Sequence, residues 1–123
     1  MAKRKPPTKR KLVKKLDAVF SKWVRYSAVN KFGYVPCYTC RHQAEAKRMQ
    51  AGHYIPRQHM VTRWEPMNVH PQCYACNMYY GGRPQNYRDH LIEDYGIEQV
   101  EDLEQRRHRT KQWDRDDIEH LIE

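Results

Sequence analysis

The chain has 123 residues, of which 39% are hydrophobic, and a formal net charge of +8. That length bounds it to one small domain with room for a helical extension, and so thin an apolar content calls for a staple such as a structural metal. No run approaches the ~18 apolar residues of a membrane span, which excludes a conventional membrane-spanning helix. The charge is also uneven. Residues 1–88 carry 18 Lys and Arg against three acids (Asp17, Glu45 and Glu65), net +15, while residues 89–123 carry five against 12, net −7. A front this basic suits a polyanion, and nucleic acid is the expected partner.

Residues 1–11 are rich in Lys, Arg and Pro and read as a flexible basic arm. From Leu12 the apolar positions Leu16, Val19, Phe20, Trp23 and Val24 recur at helical spacing, predicting a helix that ends near Asn30–Gly33 with this stripe in the core. Lys14, Lys15, Lys22 and Arg25 then fall on its other face, where they could touch phosphates. Tyr34 to Cys40 reads as a short strand, residues 45–55 as a second strand, and residues 56–72 as a loop rich in Arg, His and Pro. A short helix is expected from about Ala75 to Gly81-Gly82, and another from Pro84 to a stop at Gly96. Two more acidic helical pieces follow. The division is a basic arm (1–11), a core with a helix and four cysteines (12–88), and an acidic helical extension (89–123).

Two Cys-x-x-Cys pairs carry the chemistry: Cys37 with Cys40, and Cys73 with Cys76. Each short loop turns two sulfurs toward one point, which suits a tetrahedral structural Zn²⁺. Disulfides are the competing reading. The chain opens Met1-Ala2-Lys3-Arg4-Lys5, with no apolar signal segment, and the expectation is therefore a cytoplasmic protein whose paired cysteines bind metal. The 32 residues between the pairs leave room for a hairpin facing a helix that begins near Cys76. His53 on that hairpin could take a proton near neutral pH and serve as a general base. Asn77, next to Cys76, offers a neutral amide oxygen to a hard cation such as Mg²⁺. Asn68 could tie the loop to the hairpin backbone. Arg57 and Arg63 in the loop suit phosphate oxygens, though either could form a loop salt bridge. Trp64 and Tyr79-Tyr80 could stack on exposed bases, although aromatics at such spacing are more often core.

Gly52-His53-Tyr54-Ile55-Pro56, Asn68-Val69-His70-Pro71-Gln72-Cys73 and Cys76-Asn77 together resemble the HNH (ββα-metal) endonuclease pattern in a His-Asn-Asn form. With Leu16-Asp17, Phe20-Ser21, Arg25, Thr62-Arg63 and Tyr95-Gly96 added, residues 12–105 are similar to the phage NinG (Rap) recombination proteins. The resemblance implies an α+β fold: a small zinc-stabilised ββα-metal, treble-clef-like core with an N-terminal helix and a C-terminal helical extension. It implies a metal-dependent endonuclease selective for branched recombination intermediates such as D-loops and four-way junctions, with His53, Asn68 and Asn77 as catalytic residues. A non-catalytic zinc module that binds branched DNA and recruits recombination factors is the alternative. Many HNH sites place Asp immediately before the histidine; here the residue is Gly52. His59 is then the nearest replacement ligand for a catalytic divalent ion beside Asn77. A ligand set richer in nitrogen would favour Mn²⁺ over Mg²⁺. Symmetric cutting of a junction would want a two-fold homodimer. If the chain is phage-encoded, it would work in the host cytoplasm.

Overall fold

A computed structural model describes residues 5–123. The first helix, α1, spans Lys9–Ser27. It opens earlier than the apolar pattern predicts because Thr8 caps it, its hydroxyl accepting from the Lys11 N–H at 3.2 Å. Residues 9–11 of the expected arm are therefore helical, and residues 1–4 lie outside the described part. Leu12, Leu16 and Val24 are buried as expected, but Val19 and Trp23 are exposed, so the core stripe is narrower than its apolar composition suggests. The chain leaves α1 at Ala28 and turns at Gly33, whose φ of +85° only glycine adopts without strain.

Two small antiparallel hairpins follow. Strands β1 (Val35–Pro36) and β2 (Gln43–Ala44) pair around the first cysteine loop. Strands β3 (Gln50–His53) and β4 (Val69–Gln72) pair with Gln50 opposite Gln72 and His53 opposite Val69. The expected long strand over 45–55 is shorter, because Ala46–Arg48 form a 3₁₀ turn. Strand β4 is a correction: the residues Val-His-Pro-Gln carry no alternation and include a proline, so they read as loop. Pro71 fits because a pairing strand still uses its carbonyl, which accepts from the Tyr38 N–H at 2.8 Å.

After the second cysteine loop, Ala75–Tyr79 form a single π-helical turn where a short helix is predicted. Helix α2 (Pro84–Tyr95) stops at Gly96, as its Pro and Gly signals predict, and α3 (Ile97–Arg106) and α4 (Arg115–Ile122) follow. The fold is α+β, with helices around two small sheets.

Burial falls into three clusters. One joins Tyr38, Ile55 and Met67 to Tyr87 and Leu91 of α2 and Val100 and Leu103 of α3. A second packs Val35, Ala46 and Met49 around Cys37 and Cys76. The third sets Ile118 of α4 against Leu12, Leu16 and Trp64. The acidic C-terminal helices thus bury apolar faces on the basic front, and Arg88 of α2 and Tyr54 both reach Glu104 of α3. Among the described residues, no helix is long and apolar enough to cross a membrane.

Candidate functional site

The four cysteine sulfurs lie within 4.8 Å of one another, and no disulfide joins them. A tetrahedron with Zn–S bonds of about 2.3 Å has S···S edges of about 3.8 Å. Cys40 and Cys73 stand 3.7 Å apart. Backbone N–H groups of Cys73 and Cys76 point at sulfurs of the set, and Arg83 donates to Cys76 at 3.2 Å. Burial alone would raise the Cys37 thiol, but hydrogen bonds from Thr39 and from the Cys73, Cys40 and Thr39 backbones bring it down to about 6. Burial and the neighbouring thiols push Cys40 up to about 12. One sulfur thus ionises readily and Cys40 then resists. A divalent cation removes the conflict by taking all four as thiolates. Cys37, Cys40, Cys73 and Cys76 could therefore hold a structural metal such as zinc.

His53 ends β3, beside the loop that runs to Trp64. Its Nε2 lies 2.8 Å from the carbonyl oxygen of Arg63. A carbonyl only accepts, so Nε2 carries the hydrogen and Nδ1 of the neutral ring keeps its lone pair. Burial lowers the His53 pKa below the usual histidine value; the Arg63 carbonyl works against this, and the positive charges of Arg57 and Arg63 add to it. The lowered pKa favours the neutral ring, and among the described residues Nδ1 has no hydrogen-bond partner, the state a proton acceptor needs.

Asn68 is fully buried and forms the backbone staple expected of it. Its Oδ1 accepts from the Ile55 N–H at 2.7 Å, and its Nδ2 donates to the carbonyls of Ile55 and Thr62. It closes the loop that presents Arg63 to His53 and does not reach the groove. Asn77 sits on the π turn. Its Nδ2 donates to Gln50 Oε1 at 2.6 Å, which orients the amide and leaves Oδ1 as its uncommitted atom among the described hydrogen bonds.

A groove of about 800 Å³ gathers His53, His59 and Asn77 with Arg25 and Arg57. Two residues that sequence reasoning missed join them, Asp17 from α1 and Arg107 from the end of α3. A second groove, of about 790 Å³, shares Asp17 and Arg57 with the first and runs along Lys9, Arg10 and Lys14. Lys14 thus faces a continuous basic track, while Lys15 and Lys22 are exposed on α1 outside both grooves.

The arginines divide. The Arg57 side chain is 63% exposed and only grazes Asp17 at 4.0 Å. Arg63 is 14% exposed, with Nε and Nη2 both on the Asp17 carboxylate. Its fork is occupied, so of the two open readings the loop salt bridge holds. Arg25 is half-buried and donates to the carbonyls of Ser21 and Ala46 while lining the groove. Trp64 is core, whereas Tyr79 and Tyr80 are exposed. Asp17 had one available signal: it is the sole acid in the first 44 residues.

The family described as Bacteriophage Lambda NinG protein matches residues 1–123. Protein ninG of Salmonella phage P22 is 34% identical over 99 residues, covering 72% of this chain and 48% of that protein. Protein ninG of Escherichia phage 933W is 31% identical over 99 residues, covering 74% and 49%. Protein ninG of Escherichia phage lambda is 31% identical over 99 residues, covering 74% and 48%. The chain spans about half the length of the curated relatives it matches. No solved structure matches it.

Proposed function

The chain belongs to the NinG family of bacteriophage proteins, and we propose that it is a metal-dependent endonuclease of the HNH type acting on branched DNA. The observation that carries this reading is His53: Nε2 is tied to a backbone carbonyl and Nδ1 has no partner among the described residues, in a groove shared with Asn77 and rimmed by Arg25, Arg57 and Arg107. The element order supports it. His53 lies on the first strand of a hairpin, and Asn77 lies on the helical turn that follows the second strand, one residue beyond a member of the cysteine cluster.

In this mechanism the basic rim binds the phosphodiester backbone and orients it across the groove. His53 Nδ1 takes a proton from water, and the water oxygen attacks phosphorus as the bond to the departing sugar oxygen breaks. That oxygen leaves with a proton from solvent. A divalent ion such as Mg²⁺ or Mn²⁺, held by the Asn77 amide oxygen with His59 as the candidate second ligand, would offset charge on the phosphoryl oxygens. The chain's own contribution is to hold the base, the ligand and the phosphates on one wall. The preference for branched DNA rests on the resemblance to recombination proteins and on the two basic grooves that meet at Arg57, which can engage two duplex arms at once.

One observation favours the second reading, a non-catalytic binder of branched DNA. Among the described residues, the cysteine cluster is the one group of three or more His, Cys, Asp and Glu close enough to hold an ion. A nicking assay on four-way, D-loop and linear DNA with Mg²⁺ or Mn²⁺ separates the two. Metal-dependent nicking of branched DNA that is lost in His53→Ala supports the nuclease; tight branched binding with no nicking by the wild type supports the binder.

A further inference from the structure

We infer that Asp17, on α1, is a positioning residue for His53, acting through Arg63 and Trp64. This deepens the nuclease reading and rests on it. The contacts form a short chain. Asp17 Oδ1 accepts from Arg63 Nε at 3.0 Å and from Trp64 Nε1 at 2.9 Å, and Oδ2 accepts from Arg63 Nη2. Two consecutive side chains are thus gripped by one carboxylate. The peptide between them carries the Arg63 carbonyl, and that oxygen receives the His53 Nε2–H. Gripping Arg63 and Trp64 together fixes the plane of that peptide, and with it the direction of its C=O.

The grip is built for rigidity. Arg63 spends its remaining nitrogen within the loop, Nη1 donating to the Arg57 carbonyl at 3.4 Å. Trp64 is buried against Leu12 and Leu16 of the same helix, and Trp113 Nε1 ties down the Met60 carbonyl at 2.9 Å. Asn68 closes the other end of the loop on Ile55 and Thr62. Asp17 is the carboxylate that holds both Arg63 and Trp64, and it lies in the groove wall with His53.

The consequence is a tautomer lock. A histidine whose Nε2–H has a fixed acceptor keeps its lone pair on Nδ1; one without it samples both tautomers and rotates. Helix α1, which the charge pattern marks as a phosphate-facing helix, then also sets which nitrogen of His53 can accept a proton.

The test reads the ring directly. ¹⁵N spectra of the full-length protein labelled at histidine report the tautomer of His53, assigned by its loss in His53→Ala. The wild type is expected in the Nε2–H form. Asp17→Asn keeps the shape, weakens the grip on Arg63, and is expected to move the His53 nitrogens toward the averaged values of mixed tautomers. Nicking should fall roughly 100-fold, as misplacement of a reacting group by about 1 Å costs, with the KM for DNA changed less than twofold. Asp17→Glu, which restores the carboxylate, should recover part of both signals. If Asp17→Asn does not fold, Arg63→Lys, which retains the carbonyl and loses the fork, gives the same reading. Spectra unchanged from wild type in a folded Asp17→Asn or Arg63→Lys chain overturn the inference. If the spectra shift while the wild type shows no nicking, the lock stands and the nuclease reading fails.

Discussion

Gln72 Oε1 occupies the place where a side chain on Gly52 would begin. A Cβ added to Gly52 would overlap that oxygen and press on the rest of the Gln72 amide. The amide cannot swing away freely, because its Nε2 donates to Thr39 Oγ1 at 3.1 Å and to the Gly82 carbonyl at 2.9 Å. Gln72 is fully buried and its Oε1 has no hydrogen-bond partner among the described residues; it faces the Gly52 Cα. The residue before His53 is glycine because a buried glutamine from the paired strand fills the space an aspartate would use.

Gly52→Ala should therefore destabilise the protein by about 1–3 kcal/mol, the usual cost of overpacking, and Gly52→Asp by more, since it also buries a charge. Adding Gln72→Ala should restore most of the loss for Gly52→Ala. Thermal melts of the single and double variants check this; additive losses would show that the two side chains do not compete.

Removing the metal should unfold the middle of the chain. Cys37 and Cys76 are both buried in the cluster that holds Val35, Ala46 and Met49, so Cys37→Ser or Cys76→Ser should lose tertiary structure along with bound zinc. Metal analysis with near-ultraviolet circular dichroism, before and after chelation, reads both. A protein that purifies without tightly bound metal and keeps its spectrum would refute this.

His53→Ala should reduce nicking on the order of 10²–10⁴-fold with DNA binding nearly intact. Burial lowers the His53 pKa, and the proton-accepting form is the neutral one. The acid limb of the kcat/KM profile should then have its midpoint below about 6.5, the ordinary histidine value, with a plateau above it. A midpoint above that value would count against His53 as the base.

Arg57 and Arg63 should separate cleanly. Arg57→Ala removes an exposed cation that both grooves share; it should weaken binding to all DNAs and lower the salt slope by about 1. Arg63→Ala removes the partner of a half-buried carboxylate and should lower the melting temperature. Salt titrations of binding beside thermal melts tell them apart, and a reduced slope in Arg63→Ala without loss of stability would reverse the assignment.

Stability should fall in acid through His70. Its Nδ1 donates to the Tyr87 hydroxyl, which itself donates to the Gly52 carbonyl, and Nε2 accepts from Tyr95. Burial pushes its pKa down to about 4. The unfolded chain binds a proton near pH 6.5 that the folded chain refuses, so this stability is complete above about 6.5, drains as pH falls toward 4, and then levels off, with a loss of at most about 3 kcal/mol. His53 adds a loss of the same sign. Melting temperatures of wild type and His70→Gln between pH 7.5 and 4 should converge in acid; parallel curves would exclude His70.

What depends on near neighbours was legible in the order of residues alone. Paired cysteines bring their own sulfurs together through two-residue loops, Pro84 and Gly96 bound a helix wherever it packs, and Asn77 is carried by the cysteine beside it. His53, Asn68 and Asn77 stand out as residue types set in an ordered pattern. Whatever joins distant segments was settled by the packing of the whole chain. Asp17 meets Arg63 across 46 positions, and neither residue carries a local signal of the other. Val69–Gln72 became a strand because Gln50–His53 supplied an edge to pair with, although its own pattern argues for a loop. Gln72 excluded a side chain at Gly52 from 20 positions away. Local propensity acts over one turn or one loop, whereas the position of His53 and the volume left beside it depend on which segments the buried clusters press together.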